Sequence, residues 1–109
     1  MYFCDIKNRT PKELIPGLNI RSFWGEKMTL MTVELVPGTQ VPLHSHHYEQ
    51  IGTVISGEIN FTISGETQLL QAGDCYIIPG HVEHSAIAGE SPVTLVEAFS
   101  PVREEYHYE

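Results

Sequence analysis

The sequence predicts an all-β fold, a sandwich or barrel in a single domain, on three observations. Past residue 27 the chain breaks into short segments that are apolar or alternate apolar with polar, the period-two rhythm of strands with one buried face. Each segment closes on "PGTQ", "SGE" (twice), "AGD", "PGH" or "AGESP", turn chemistry in which glycine accepts positive φ and proline presets φ at about −65°. No run of ten or more residues carries helical periodicity, and 109 residues make one domain with a real core rather than two.

The elements follow in order. Residues 1–27 form an arm in which "TPKELI" (10–15) is suited to a single helical turn, with Thr10 as cap and Pro11 at the first position. The arm also holds Phe3, Leu14, Ile15, Leu18, Ile20, Phe23 and Trp24, too many apolar groups for a free tail. It is expected to pack on the barrel or on a second subunit. Strands are expected at 28–36, 41–47, 50–56, 58–64, 67–71, 74–79, 83–88 and 93–100, and residues 101–109 follow as a tail. Eight strands at this spacing suit a sandwich or barrel of residues 28–100.

Composition narrows the function. Fourteen acidic side chains against 6 basic ones give a formal net charge of −8, and no basic run is present, so the footprint of a nucleic-acid binder is missing. No segment approaches the roughly 20 apolar residues of a membrane span, and the N-terminus offers no apolar signal core. A soluble, cytoplasmic protein is expected. Cys4 and Cys75 lie far apart in the sequence, which suits free thiols in a reducing compartment; Cys75 is expected in the core.

The stretch "HSHHYEQIGTVISG" (44–57) concentrates histidine, carboxylate and amide groups ahead of an apolar run. On a strand His44 and His46 share a face, with Cα atoms roughly 6.5 Å apart, so both rings can reach one ion at about 2.1 Å. Gln50 has the same parity, and a tight bend can return its amide oxygen to that point. Gly52, next on that face, leaves room above it. His84 opens a later strand that a barrel can bring alongside. A His-x-His pair is equally compatible with a hydrogen-bonded surface pair, and a lone His84 with a structural histidine. His47 and Glu49, of opposite parity, are read as supporting or solvated groups, and His81 and His107 as incidental.

The combined arrangement resembles the cupin superfamily. Its first motif places glycine, His-x-His, glutamate and glycine at spacings occupied here by Gly38, His44, His46, Gln50 and Gly57, with glutamine where glutamate is usual. Its second motif is matched by Gly73, Pro79 and His84, while His81 replaces a glycine and Ala88 an asparagine. The resemblance implies a double-stranded β-barrel, jelly-roll-like, with one divalent transition metal per chain held by His44, His46, Gln50 and His84. Zinc, nickel, manganese, iron and copper all suit such ligands. A neutral amide in place of a carboxylate leaves more of the ion's charge to polarise a bound oxygen and to attract an anion.

A narrower resemblance concerns "VEAFSPVREEY" (96–106), similar to the ending of small single-domain cupins that include the pectin-degradation proteins converting 4,5-unsaturated uronates to linear keto sugars. It implies that Glu97, Phe99 and Arg103 face the metal cavity: Arg103 clamping a substrate carboxylate, Glu97 moving a proton, Phe99 walling the pocket. Otherwise Arg103 pairs with Glu104, Glu105 or a neighbouring subunit, and Glu97 is a solvated strand residue. Three functions stay open: an enzyme opening or tautomerising a small anionic sugar derivative, a metal-dependent dioxygenase, and a ligand-binding module without turnover. The partner expected besides a small molecule is a second copy, since two-fold dimers are the commonest oligomers.

Overall fold

The computed structural model describes residues 2–109. Its strands are β1 (Lys12–Ile15), β2 (Leu18–Trp24), β3 (Thr29–Leu35), β4 (Gln40–His44), β5 (Glu49–Ser56), β6 (Ile59–Ile63), β7 (Glu66–Leu70), β8 (Cys75–Ile78), β9 (His84–Ala88) and β10 (Val93–Ser100). Short 3-10 turns stand at Ile6–Asn8 and Glu104–Tyr106, and the described residues contain no α-helix. Among the described residues no helix is long and apolar enough to cross a membrane.

Two antiparallel sheets form a jelly-roll barrel. One has the order β1-β2-β3-β10-β5-β8, the other β4-β9-β6-β7. Alternation decides what each strand buries. β10 is the clearest case, with Val93, Leu95, Glu97 and Phe99 turned inward and the residues between them half-buried. Ile20, Val33, Leu35 and Val54 join them from the large sheet, and Ile59, Phe61 and Ala86 from the small one. A large aliphatic or aromatic side chain buried this fully contributes about 1.5–3 kcal/mol. Two inward positions on β10 and β5 are polar, Glu97 and Gln50, and they mark where the site lies.

The eight strand segments expected past residue 27 are all strands, with bounds shifted by a few residues. The first 27 residues differ from expectation. "TPKELI" contains strand β1 instead of a helical turn, and β1 pairs with β2, which pairs with β3 through the full register Leu18↔Leu35 to Trp24↔Thr29. The physical reason is β2 itself: Leu18, Ile20 and Ser22 all turn inward, which offers β1 a partner that a lone helical turn would lack. Cys75 is exposed rather than in the core, because Tyr76 and Ile78 take the inner face of β8.

Turns are fixed where backbone approaches backbone. Gly57 has φ +82°, and a Cβ there would lie 2.3 Å from the Pro92 carbonyl oxygen, so this position takes only glycine. Between β8 and β9, His81 adopts the left-handed conformation (φ +70°) and donates its N–H to the His46 carbonyl. Gly80 serves the same turn by close approach, since a Cβ there would lie 2.6 Å from the His47 oxygen.

Candidate metal centre

The sheet register assembles the histidines. β4 and β9 are neighbours, and His44 stands directly opposite His84, their ring centroids 4.1 Å apart. β4 ends at His44, so His46 arrives from the following bend rather than along the strand. Its ring nevertheless lies 5.0 Å from that of His84 and 5.9 Å from that of His44. One ligand atom from each of the three lies within 4.8 Å of the others.

Each imidazole is oriented the same way. Nδ1 of His44 meets the Pro42 carbonyl at 2.7 Å, Nδ1 of His46 the Tyr48 carbonyl at 3.1 Å, and Nδ1 of His84 the Val82 carbonyl at 2.9 Å. A carbonyl only accepts, so these contacts assign the proton to Nδ1 and leave Nε2 with its lone pair. Burial lowers the pKa of His84 to about 4, with His44, His46 and Arg103 adding to the effect. Burial, followed by the Arg103 charge, also lowers His46. His46 and His84 are thereby held toward the neutral form, the one that binds a metal.

Gln50 is the first inward residue of β5, and its Oε1 lies 3.0 Å from His46 Nε2. His46 thus faces an acceptor on both nitrogens, which a neutral ring with one N–H cannot satisfy. Two ligand atoms each about 2.1 Å from a shared ion sit roughly 3 Å apart when at right angles to it. Nε2 of His84 is buried without any hydrogen-bond partner. The orphaned Nε2 and the doubled acceptors fit a cation among His44, His46, His84 and Gln50, so the donor set suits a divalent metal.

Behind Gln50 lies a buried polar chain. Gln50 Nε2 donates to Glu97 Oε2 at 2.5 Å, and Tyr76 Oη donates to the same oxygen at 2.7 Å. Burial raises the pKa of Glu97 above the ordinary carboxylate value, against the opposing effects of these two donors and of Arg103.

Arg103 sits just past β10, buried among the rings of Tyr106, Phe99 and Tyr48 at 4.0, 4.9 and 5.1 Å. Its Nε lies 3.3 Å from Glu105 Oε2, close enough for ionic attraction but not aligned for a hydrogen bond. Glu105 also accepts the Tyr48 hydroxyl at 2.5 Å. The pairing of Arg103 with Glu105 is therefore loose, and guanidinium donors remain for an anion.

His44, Gln50, His84, Glu97, Phe99 and Arg103 line one cavity of about 70 Å³ whose remaining wall is largely aliphatic. It has room for a few water-sized groups, so a sugar-sized ligand enters only if part of the wall moves aside. A larger, shallower groove of about 520 Å³ runs between residues 4–9 and β2, but none of the histidines touches it, so the chemistry belongs to the smaller space. His47 and Glu49 are exposed and point away. His107 stacks on Trp24 at 3.7 Å, remote from the cluster. Tyr76, Tyr48 and Tyr106 are the participants that sequence reasoning does not single out. For Tyr76 the available signal is its inward parity on β8 opposite Gly52.

Comparison with known proteins places this geometry. The family described as the cupin domain matches residues 31–99. The "H2HPP isomerase" of Bacillus subtilis is 31% identical over 105 residues, 94% of this chain and 43% of that protein; the chain thus spans less than half of that relative's length. Among solved structures, KdgF from Halomonas sp. superposes with a TM-score of 0.91 at 25% identity, covering 98% of this chain and 99% of that one. An RmlC-like cupin from Shewanella frigidimarina gives a TM-score of 0.91 at 24% identity over 98% and 96% of the two chains, a likeness of fold. The fold, the histidine cluster and these matches lead to one conclusion: the chain belongs to the cupin domain family and resembles the small single-domain cupins of pectin degradation.

Proposed function

We propose that this protein is a metal-dependent enzyme that isomerises a small anionic sugar derivative of the 4,5-unsaturated uronate type. The observation that carries the reading is the joint placement of Glu97, Phe99 and Arg103 on the cavity wall beside His44, Gln50 and His84. Support also comes from the full-length likeness to KdgF and from a relative named an isomerase.

His44, His46, His84 and Gln50 would hold the ion. When bound, it supplies Lewis-acid polarisation of a substrate oxygen. Arg103 binds the substrate carboxylate through guanidinium donors held rigid by three rings. Phe99, buried against that guanidinium, excludes water from one side. Glu97, whose pKa burial raises, takes the proton of the anomeric hydroxyl and returns it to the alkene carbon. The ring C–O bond breaks, the hydroxyl carbon becomes an aldehyde and the enol carbon a ketone. Product and substrate are isomers, so no oxidant or reductant enters.

The same reading pairs two copies of the chain through the outer face of the large sheet, where Met28, Ile51 and Ile77 are exposed beside a concave apolar surface containing Leu30 and Val96. Sedimentation tests it, with a Met28→Glu/Ile77→Glu variant expected to be monomeric.

The direct assay follows the ultraviolet absorbance of the conjugated enol ether in an unsaturated uronate. The expected result is loss of absorbance that requires metal, consumes no oxygen and disappears in Arg103→Ala. Turnover that consumes oxygen would assign the dioxygenase reading instead, and saturable binding without turnover the ligand-binding module.

A further inference from the structure

Gly52 is the smallest residue on the inner face of β5, and the register Glu97↔Gly52↔Tyr76 sets it between two polar side chains on the adjacent strands. A Cβ at Gly52 would lie 2.4 Å from Tyr76 Oη. The missing side chain is the space through which the tyrosine crosses β5 to reach Glu97.

We propose that Tyr76 is a positioning residue which, through Glu97, holds the Gln50 amide with Oε1 toward the histidines. The inference rests on the reading of His44, His46, His84 and Gln50 as a metal site. An amide has two ends of nearly equal shape, and only its hydrogen-bond partners decide which end faces the ion. Glu97 Oε2 accepts from both Gln50 Nε2 and Tyr76 Oη. Burial and the Glu97 carboxyl push the Tyr76 pKa upward, so its hydroxyl stays a donor. With that donor in place, the carboxyl is fixed from two sides and Oε2 stands against the amide as an acceptor, which Nε2 can satisfy and Oε1 cannot. The ring is fixed from its other side by Phe61, 4.5 Å away. Without the hydroxyl, Glu97 keeps one of its two donors and can turn Oε2 away from Nε2, so that nothing on this side selects which end of the amide faces the ion. Groups that orient metal ligands typically govern affinity by about 10- to 100-fold.

The test measures Zn²⁺ affinity by competition with a chromophoric chelator. Tyr76→Phe removes only the hydroxyl, and Gly52→Ala displaces the ring instead, so the two perturb the same bond by different routes if one of them folds poorly. Each is expected to bind Zn²⁺ about 10- to 100-fold more weakly than the unaltered protein. In a Gln50→Ala background, where no amide remains to orient, Tyr76→Phe is expected to cost nothing further. A merely structural role would weaken binding equally in both backgrounds and overturn the proposal, as would unchanged affinity in both single variants. If the unaltered protein binds no Zn²⁺, or Gln50→Ala changes nothing, the metal-site reading itself fails and the inference goes with it.

Discussion

At the residue scale the site depends on which groups are charged. His84 titrates in the folded chain at about 4, below its ordinary value of 6.5. Between those values the unfolded chain binds the proton and the folded chain does not, so stability falls as the pH drops through that window and falls no further below it. The slope is about 1.4 kcal/mol per pH unit for one group. Urea midpoints of metal-free protein should therefore decline between pH 6.5 and 4, and less so in His84→Gln. Gln50 offers a second test. Gln50→Glu sets a carboxylate against Glu97, whose Oε2 is 2.5 Å from the present amide nitrogen. Destabilisation on the order of 3 kcal/mol is expected, and Gln50→Glu/Glu97→Gln should recover most of it, as a double-mutant cycle in thermal denaturation would show. The pairing of His44 with His46 is legible in their spacing, and His84 joins them in the sequence only through the resemblance to the cupin motifs. Tyr76 is not, because its partnership with Glu97 exists only once β8 and β10 lie on either side of Gly52.

At the element scale the barrel strands are legible because alternation and turn residues agree. β2 is harder to read for a specific reason. Its inner positions are Leu18, Ile20 and Ser22, and the serine is buried because its hydroxyl donates to the Tyr106 carbonyl at 2.5 Å. Phe23 on the outer side, and Trp24 exposed at the strand's end where the inner parity continues, then break the period. β1 is harder still, since Thr10 and Pro11 carry the chemistry of a helix start while the sheet edge supplies hydrogen bonds that outweigh it. β2 nonetheless carries core. Ile20 is fully buried, and Ile20→Ala should cost about 2–5 kcal/mol in a denaturant titration. A loss under 1 kcal/mol would mean that these strands are peripheral.

At the scale of the whole molecule, the two ends of the chain close the site together. The Tyr108 hydroxyl bonds to the Thr10 and Ile20 carbonyls at 2.7 and 3.1 Å, Arg9 lies over the Tyr108 ring at 3.9 Å, and Tyr106 stacks against Arg103. Deleting residues 106–109 should lower the thermal midpoint and loosen Arg103, seen as a raised KM for the anionic substrate with the metal retained. The claim on which all of this depends is that two histidine clusters, 38 residues apart in sequence from His46 to His84, form one metal site. Elemental analysis of untagged protein beside folded His84→Ala tests it most directly. About one equivalent of transition metal per chain, largely lost in the variant, is the predicted result. A protein that neither carries nor can be reconstituted with metal, or a His84→Ala variant that keeps its full complement, would contradict it.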